Sequence, residues 1–427
     1  MRAPQRGLHA VNVSAPASSP VSTRLQALRQ HMANKGWQAT LIPSSDPHLS
    51  EYLPDRWQGR VWLSGFTGSS GTLLVSATQA AVFTDSRYWE QAEAELAGSG
   101  VDLVKLDGPA VPAYVQWLAE QADLPSPATL AIDGTVMGLA QTQLLQDALK
   151  TKGWQLHTSE DVLDGIWPDR PALPAAAVFE HALPYAAKPR SAKLAALRQA
   201  MQDKGATHHW IATLDDLAWV LNLRGADVDY NPVFLGHALI GLDDAALFVA
   251  PGKIDTALES KLTADGITVR PYNQALSAMK ALPVGSVLLI DPKRITWGLR
   301  EAVPAGVKLI EAINPTTLAK SRKTDDEARF IRETMERDGA AMCTFYAWLE
   351  QALGCEHISE LTIDERLSAE RAKQPGYVSL SFPTIAGFNA NGAQPHYRAT
   401  AESHAMISTP QGLCEEGLLL IDSGAQY

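Results

Sequence analysis

The sequence contains one segment twice, 169 positions apart, and this duplication limits the possible fold more than any other feature. Nine of the fifteen residues at 22–36 are identical to those at 191–205. In both copies, apolar residues recur at the spacing of one helix face and a Lys-Gly pair follows them. The matched positions are Ser22 and Ser191, Leu25 and Leu194, Leu28 and Leu197, Met32 and Met201, Lys35 and Lys204, and Gly36 and Gly205. Because solenoid repeats are much shorter, a repeat at this distance predicts two copies of one domain.

Each repeated helix is followed by further matching segments with the character of buried strands. Residues 39–42 correspond to residues 209–212, and residues 81–84 correspond to residues 246–249. These short apolar segments alternate with helical patterns in both copies. The sequence therefore predicts two mixed α/β domains whose sheets are covered by helices.

A proline-rich segment separates the two copies and sets the domain boundaries. Residues 168–190 contain five prolines and a run of alanines without helix or strand periodicity, as is typical of a linker. A chain of 427 residues also exceeds what one hydrophobic core can organise. The predicted division is a flexible tail over 1–21, a first domain over 22–165, a Pro/Ala linker over 166–189, a second domain over 190–322 and a third domain over 323–427.

Charge and composition narrow the classes of partner. The formal net charge of −11 argues against binding to nucleic acid or to an anionic membrane surface. No apolar run in the sequence reaches the length of a membrane span. The three cysteines, Cys343, Cys355 and Cys414, match no disulfide or zinc pattern. We therefore expect a cytoplasmic protein whose partners are neither nucleic acids nor membranes.

The third domain begins with two patterns that are typical of capped helices. Thr324 with Glu327, and Thr362 with Glu365, have the spacing of a capping box. Strand-like segments follow the second helix, so this domain combines helices and strands without the regular alternation of the first two.

Two candidate site residues lie in this third domain. Apolar residues at 418–421 lead into Asp422, a pattern typical of a buried strand that ends at a carboxylate. The functional interpretation of Asp422 is a metal ligand, and the alternative is an aspartate that bonds the backbone of its own turn. His396 lies 26 residues earlier in a loop rich in Gly and Asn, where a lone histidine is usually structural.

Motifs in all three domains resemble those of the Xaa-Pro aminopeptidases (aminopeptidase P) of metallopeptidase family M24. In chain order they are Thr-Asp-Ser-Arg-Tyr-Trp at 84–89, Asp-Asp-Leu-Ala-Trp-Val-Leu-Asn-Leu-Arg-Gly at 215–225, Ser-Phe-Pro-Thr-Ile at 381–385, Asn-Gly-Ala-Gln-Pro-His-Tyr at 391–397 and Leu-Ile-Asp-Ser-Gly-Ala-Gln-Tyr at 420–427. The resemblance covers nearly the whole chain from residue 22 onward.

This resemblance implies two creatinase amino-terminal-like α/β domains in tandem, followed by an α+β pita-bread peptidase domain. It implies removal of the first residue from peptides with proline in second position, by a hydroxide held between two metal ions, usually Mn²⁺. By motif position, His396 is the catalytic histidine that contacts the substrate and stabilises the oxyanion, and Asp422 is the first metal ligand. Arg87 would bind the substrate from the first domain, with a surface or domain-interface ion pair as the structural alternative. A homodimer is also a family expectation.

The sequence departs from the family in its metal ligands. Family members complete the metal site with a second aspartate, a histidine and two glutamates, which follow the last motif and are not in the printed chain. We therefore expect an incomplete pita-bread domain without tight Mn²⁺ binding or aminopeptidase activity, because hard cations need several oxygen ligands. The alternative function is a non-catalytic pseudoenzyme, a peptide-binding or interaction protein of the same fold. A creatinase- or prolidase-type relative is disfavoured, since many of those have one amino-terminal domain.

Overall fold

The computed structural model describes residues 19–121, 124–125 and 127–427. Most of the predicted tail, residues 1–18, lies outside the described residues. Helix α1 (Pro20–Lys35) begins at the cap residue Ser19, whose side chain accepts a hydrogen bond from the backbone of Ser22. It ends at Gly36, which has a left-handed φ of 72°. The apolar residues of α1 that are shared by the two copies are buried, as their spacing predicts.

The first domain is one mixed sheet of six strands with helices on both faces. After α1, its elements are β1 (Ala39–Pro43), α2 (Gly59–Ser64), β2 (Thr72–Ser76), β3 (Ala80–Asp85), α3 (Trp89–Leu96), β4 (Asp102–Leu106), α4 (Ala110–Glu120), β5 (Thr129–Ala131), α5 (Leu139–Lys150) and β6 (Gln155–His157). The strand order is β4-β3-β2-β1-β5-β6, and β2 is antiparallel to both of its neighbours. One core cluster packs α1, α2 and α3 on one face of the sheet, and another packs α4 and α5 on the opposite face.

The predicted linker is extended and contains a short strand, β7 (Phe179–Glu180). Arg170 in this segment forms an ion pair with Asp161 and donates to the backbone of Arg56 at 3.0 Å. The backbone N–H of Val178 donates to the Lys253 carbonyl at 2.8 Å. The segment is therefore bonded to both of the domains that it joins.

The second domain repeats the architecture of the first. Its elements are α6 (Arg190–Asp203), β8 (His208–Ile211), α7 (Leu214–Leu221), β9 (Leu223–Arg224), β10 (Gly236–Gly241), β11 (Ala245–Val249), α8 (Thr256–Ala264), β12 (Ile267–Pro271), α9 (Ala275–Lys280), β13 (Val287–Ile290), α10 (Trp297–Glu301), β14 (Lys308–Glu311) and α11 (Pro315–Ser321). The sheet order is β12-β11-β10-β8-β13-β14, and β10 is antiparallel to both neighbours. Each position in this order has its counterpart in the first sheet, so the predicted pair of α/β domains is confirmed.

A buried histidine joins the first domain to the strand ends of the second. His48, in the loop after β1, donates from Nδ1 to the Ala212 carbonyl at 2.9 Å, since a carbonyl can only accept. Its Nε2 then accepts from the Tyr272 hydroxyl at 2.8 Å. The His48 ring centroid lies 4.4 Å from that of His237 in β10. Because Ala212 follows β8 and Tyr272 follows β12, His48 fills the edge at which these strands end.

The third domain combines two long helices with one three-stranded sheet and two strand pairs, all of short strands. Its elements are α12 (Asp325–Ala352), β15 (Ile358–Ser359), α13 (Glu360–Ala372), β16 (Ser379–Leu380), β17 (Ile385–Phe388), β18 (Met406–Thr409), β19 (Gly412–Leu413), β20 (Leu419–Asp422) and β21 (Ala425–Gln426). The Thr324 capping box of α12 forms as predicted. β17 and β20 pair antiparallel, and Ile385 lies opposite Asp422. The helices in residues 19–121, 124–125 and 127–427 are each too short or too polar to cross a bilayer.

Candidate functional site

Arg87 lies in a short turn, Ser86–Tyr88, at the end of β3. Asp85 caps this turn, because its carboxylate accepts from the Arg87 backbone at 3.2 Å. The same carboxylate accepts from the guanidinium Nε at 2.7 Å and from Nη2 at 2.8 Å. These hydrogen bonds from Arg87 lower the pKa of Asp85, and the bonds to Asp85 raise the pKa of Arg87. The guanidinium is therefore held in one orientation while its side chain is 46% exposed.

His396 reaches Arg87 from a different domain. It follows the turn Asn389–Ala393 and has a left-handed φ of 62°. Arg87 Nη1 approaches His396 Nε2 at 3.5 Å, a long contact between residues 309 positions apart. The His396 ring also stacks on Tyr88, with 5.5 Å between centroids and 16° between planes. The structure thus brings together two of the three predicted site residues.

Glu360 anchors the loop that holds His396. This carboxylate is fully buried in the first turn of α13. It accepts from the Phe388 backbone at 2.7 Å, from Asn391 Nδ2 at 3.0 Å, from the Tyr397 hydroxyl at 2.7 Å and from the Ala405 backbone at 2.7 Å. Burial and the hydrogen bond to Glu360 raise the pKa of Tyr397. One carboxylate therefore fixes the loop on both sides of His396.

The sequence interpretation missed Glu360 because it began α13 too late. The predicted capping box used Thr362 and Glu365, whereas the cap is Ser359, which pairs with Thr362. Both residue pairs have similar character and lie three positions apart, so the sequence offers two registers for the helix start. In the correct register Glu360 occupies the first turn, where an acidic side chain interacts favourably with the helix dipole. Its role as a loop anchor depends on residues 28 to 45 positions away.

Asp422, the third predicted residue, lies at the end of β20 and is exposed. β20 pairs with β17, and β17 leads into the turn that precedes His396. Glu415, a nearby carboxylate, bonds Asn389 Nδ2 at 2.8 Å and so lies at the opposite end of this strand pair. Three residue steps along a strand separate the two ends by roughly 10 Å. Glu415 therefore does not join Asp422 in one ligand set.

The described residues do not by themselves fit a two-metal centre. No group of three or more His, Cys, Asp or Glu side chains in the part of the chain that the structure describes could hold a metal ion. Divalent ions such as Mn²⁺ need several oxygen or nitrogen ligands, and two ions need more. Asp422 fits one ligand position of such a centre.

Three family models match the chain one after another. Residues 24–166 match a creatinase/prolidase N-terminal domain, and residues 169–327 match a second model of the same description. Residues 329–427 match metallopeptidase family M24. The two amino-terminal matches cover the two copies of the six-stranded sheet, and the third covers His396 and Asp422.

Curated relatives and a solved structure match over nearly the whole chain. The probable Xaa-Pro aminopeptidase P of Paracoccidioides brasiliensis (strain Pb03) is 32% identical, over 95% of this chain and 67% of the relative. Aminopeptidase P2 of Arabidopsis thaliana is also 32% identical, over 95% of this chain and 61% of the relative. A crystal structure of X-prolyl aminopeptidase from Caenorhabditis elegans, described as a cytosolic enzyme with a di-nuclear active site, is 26% identical. Its TM-score is 0.85, over 95% of this chain and 68% of that chain.

Proposed function

This chain belongs to the Xaa-Pro aminopeptidase P group of metallopeptidase family M24, and we propose that it binds peptides with proline in second position for removal of their first residue. The resemblance stated from its motifs is confirmed by relatives that are 32% identical, and so is the order of its domain types. The chain spans 61 to 67% of the length of these two relatives. Hydrolysis by the whole protein is therefore part of the proposal.

The contact between Arg87 and His396 is the observation that supports this function. Asp85 occupies Nε and Nη2 of Arg87, which leaves Nη1 and its exposed surroundings for a peptide carbonyl. Because the guanidinium is already held by Asp85, little side-chain entropy is lost when a ligand binds. His396 lies beside it at the exposed surface of the third domain. The two side chains can therefore contact one peptide from two domains.

His396 is proposed as the catalytic histidine of the reaction. An imidazole N–H near a developing oxyanion stabilises it by a hydrogen bond. The 3.5 Å contact with Arg87 is long, so a peptide oxygen can replace it at small cost. Two Mn²⁺ ions are the proposed metals of the whole activity, and Asp422 is the described residue proposed as a ligand.

A non-catalytic peptide-binding protein of the same fold is the second candidate. One observation favours it: Asp422 has no companion ligands among the described residues that could complete a metal site with it. This candidate predicts binding of proline-containing peptides without release of an amino acid. The two candidates agree on recognition and differ on hydrolysis.

Calorimetry and a hydrolysis assay on the 427-residue chain separate these candidates. The first measurement compares Ala-Pro-Ala with Ala-Ala-Ala, in EDTA and then in MnCl₂, and we expect binding of the proline peptide alone. The second measurement follows release of free alanine in MnCl₂. Release that depends on Mn²⁺ supports the enzyme, and binding without release supports the second candidate. Equal affinity for both peptides contradicts the proposed recognition altogether.

Variants of Arg87 and His396 test the roles assigned at the site. Arg87→Gln and His396→Ala should each weaken binding of Ala-Pro-Ala by about tenfold or more. If the chain releases alanine, His396→Ala should also lower turnover by about a hundredfold with unchanged metal content. The exposed Arg398→Ala variant is the matched control and should bind as the unmodified chain does. Unchanged binding by His396→Ala would return this residue to a structural role.

We propose a cytoplasmic location and a homodimer as further properties. The three cysteines are free and exposed, which suits a reducing compartment. The C. elegans structure is described as that of a cytosolic enzyme. Cell fractionation tests the location, and light scattering coupled to gel filtration tests the dimer. A mass of 46.1 kDa at micromolar concentration would identify a monomer instead.

A further inference from the structure

A large cavity lies in the first domain at the edge of the sheet where β1, β3 and β4 end and β2 begins. Its volume is about 1010 Å³, and its lining includes Pro43, Thr72, Asp85 and Leu106 from these four strands. Lys293, from the loop after β13 in the second domain, also lines the cavity. Crevices at the carboxyl ends of strands are where α/β sheets usually bind ligands. The volume is at the upper end of the range for such sites.

The lining of this cavity suits a peptide backbone. Its hydroxyl groups can donate and accept, as a chain of peptide N–H and C=O groups requires. Six of them belong to Ser44, Ser45, Ser50, Ser69, Ser70 and Ser86, and the others belong to Thr72, Thr84 and Tyr114. The Ser50 hydroxyl is buried and has no hydrogen-bond partner among the described residues. A buried hydroxyl without a partner is costly, and a ligand that bonds it removes that cost.

The charges of the lining argue against a polyanionic ligand such as a nucleotide. Among the lining residues that the structure describes, Lys293 is the cationic side chain, whereas Asp85 and Asp107 are acidic. Phosphate sites use several cationic groups as well as backbone N–H groups at a helix start. The first turns of α4 and α5 contribute Ala110 and Ala140 to the lining, so the single carboxylate at the end of a peptide is compatible with this cavity. Apolar side chains such as Leu49, Phe83 and Trp89 complete the walls. Mixed hydroxyl and apolar walls favour an extended ligand with few charges.

The side chains of Arg87 and Tyr88 lie between the cavity and His396. Asp85, which lines the cavity, binds Arg87, and Arg87 contacts His396. Ser69, on another wall, is 2.6 Å from the Tyr88 hydroxyl, and the Tyr88 ring stacks on His396. A single layer of side chains therefore separates the cavity from the proposed catalytic histidine. A ligand at His396 that is longer than a tripeptide can extend over this layer.

We infer that this cavity binds the carboxyl-terminal part of the same peptide, the residues beyond the proline. This inference rests on the proposed function, because it assumes that the amino-terminal end of the same peptide binds at Arg87 and His396. The duplicated domain supports it, since the equivalent edge of the second sheet is filled by His48, Tyr272 and His237. Side chains can therefore fill this edge in the fold, as they do in the second domain. In the first domain the same edge remains a cavity near His396.

Peptide length is the variable that tests the inference. The unmodified chain in EDTA is titrated with Ala-Pro-Ala and with Ala-Pro-Ala-Ser-Gly-Ser-Ala. Two added backbone hydrogen bonds should make the longer peptide bind about tenfold more tightly. Equal affinities for the two peptides would overturn the inference. Binding of neither peptide would overturn the proposed function first, and the inference with it.

Two variants that fill the cavity make the test specific. Ala140 is an exposed lining residue, and a Cβ added at Gly108 would meet no atom within 4 Å. Ala140→Trp and Gly108→Trp should therefore fold normally and remove the advantage of the longer peptide. Both should leave the affinity for Ala-Pro-Ala unchanged. The exposed Ala192→Trp variant on α6 is the matched control and should keep the full length dependence. Length dependence that survives in both cavity variants would place the tail elsewhere.

Discussion

The first and second domains have the same six-stranded sheet but use the same edge of it differently. In the first domain, the ends of β1, β3 and β4 surround an open cavity of about 1010 Å³. In the second domain, the ends of β8 and β12 are bonded to His48, which comes from the first domain. The strand ends of the first domain are therefore accessible to a ligand. The strand ends of the second domain instead bind the first domain through His48. The comparison shows that equivalent sheet edges can surround a cavity in one copy and form a domain interface in the other.

Arg60 and Lys253, one deeply buried cation in each domain, also differ in their partners. Arg60 in the first domain donates to the backbone carbonyl of Phe66 at 2.8 Å and to the Ser44 hydroxyl at 2.8 Å. Burial lowers the pKa of Arg60 to about 10. Lys253 in the second domain is instead paired with Asp227, and both side chains are fully buried. Lys253 is thus held by an ion pair, whereas Arg60 is held by neutral acceptors.

Among the substitutions that test this comparison, removal of the Asp227 carboxylate should reduce stability the most. Asp227→Ala leaves Lys253 as an unpaired buried cation and should destabilise the second domain by about 3–5 kcal/mol. Urea denaturation followed by tryptophan fluorescence measures the change. Asp229→Ala, at an exposed neighbouring position, is the control and should have little effect. If the first domain unfolds at the same lowered urea concentration, the two copies form one cooperative unit. A midpoint unchanged from the unmodified chain would contradict the assigned importance of the pair.

Removal of the His48 ring should have the next largest effect. His48→Ala leaves the Ala212 carbonyl and the Tyr272 hydroxyl buried without this partner, at a cost of about 2–4 kcal/mol. Thermal unfolding measures the loss, with the exposed His404→Ala variant as its control. The variant should also open the second sheet's edge, which makes the two copies alike. Unchanged thermal stability would show that His48 does not hold the interface.

Acidification should weaken the same interface. Burial lowers the pKa of His48 and of His237, so below about pH 6.5 the unfolded chain binds protons that the folded chain excludes. Stability should fall with pH in this range, by at most about 1.4 kcal/mol per pH unit for each histidine. Denaturation curves between pH 7 and pH 5.5 measure the slope, which His48→Ala should reduce. An identical slope in the variant would exclude His48 as its source.

Asp133 has the opposite dependence on pH and must be considered over the same range. Burial, followed by the charge of Asp161, raises the pKa of Asp133 to about 6. Its folded state therefore keeps a proton that the unfolded chain releases, and its contribution to stability is lost as pH rises through about 6. Asp133→Asn removes this opposing contribution and should make the histidine slope steeper. A slope that becomes shallower would reverse the assigned sign.

The smallest predicted effect concerns a single hydroxyl group. Tyr272→Phe removes the donor to His48 Nε2 and should cost about 1 kcal/mol. Combined with His48→Ala, it should add little, because the shared hydrogen bond is already lost. A double-mutant cycle by urea denaturation measures this coupling. Fully additive losses would show that the two side chains act independently.

The duplication was predictable because it is local and periodic. Leu25, Leu28 and Met32 have helical spacing, and the same letters return in the second copy, so sequence alone indicates two like domains. The His48 contact was not predictable, since its partners lie 164 and 224 positions away and His48 matches no motif. Duplicated sequences predict duplicated sheets. Duplicated sequences do not indicate in which of the two domains the sheet edge will be filled by side chains.

The site was predictable as a set of residues and not as a geometry. Arg87, His396 and Asp422 each lie in a motif, and the structure brings Arg87 to His396 across 309 positions. Glu360 was missed because the start of its helix was placed at Thr362 instead of Ser359. The cavity was missed because its serines come from two loops and the turn after β3, and their proximity depends on the strand order.

The backbone of His396 has a consequence for how this protein would respond to selection. Its φ of 62° lies in the left-handed region, which glycine and asparagine adopt more readily than histidine does. A library screened for thermal tolerance alone would therefore retain Gly or Asn at this position about as readily as His. Only a screen that rewards turnover or capture of a peptide would keep the imidazole. Position 396 is thus a position where selection for stability alone does not maintain the residue that the proposed activity needs.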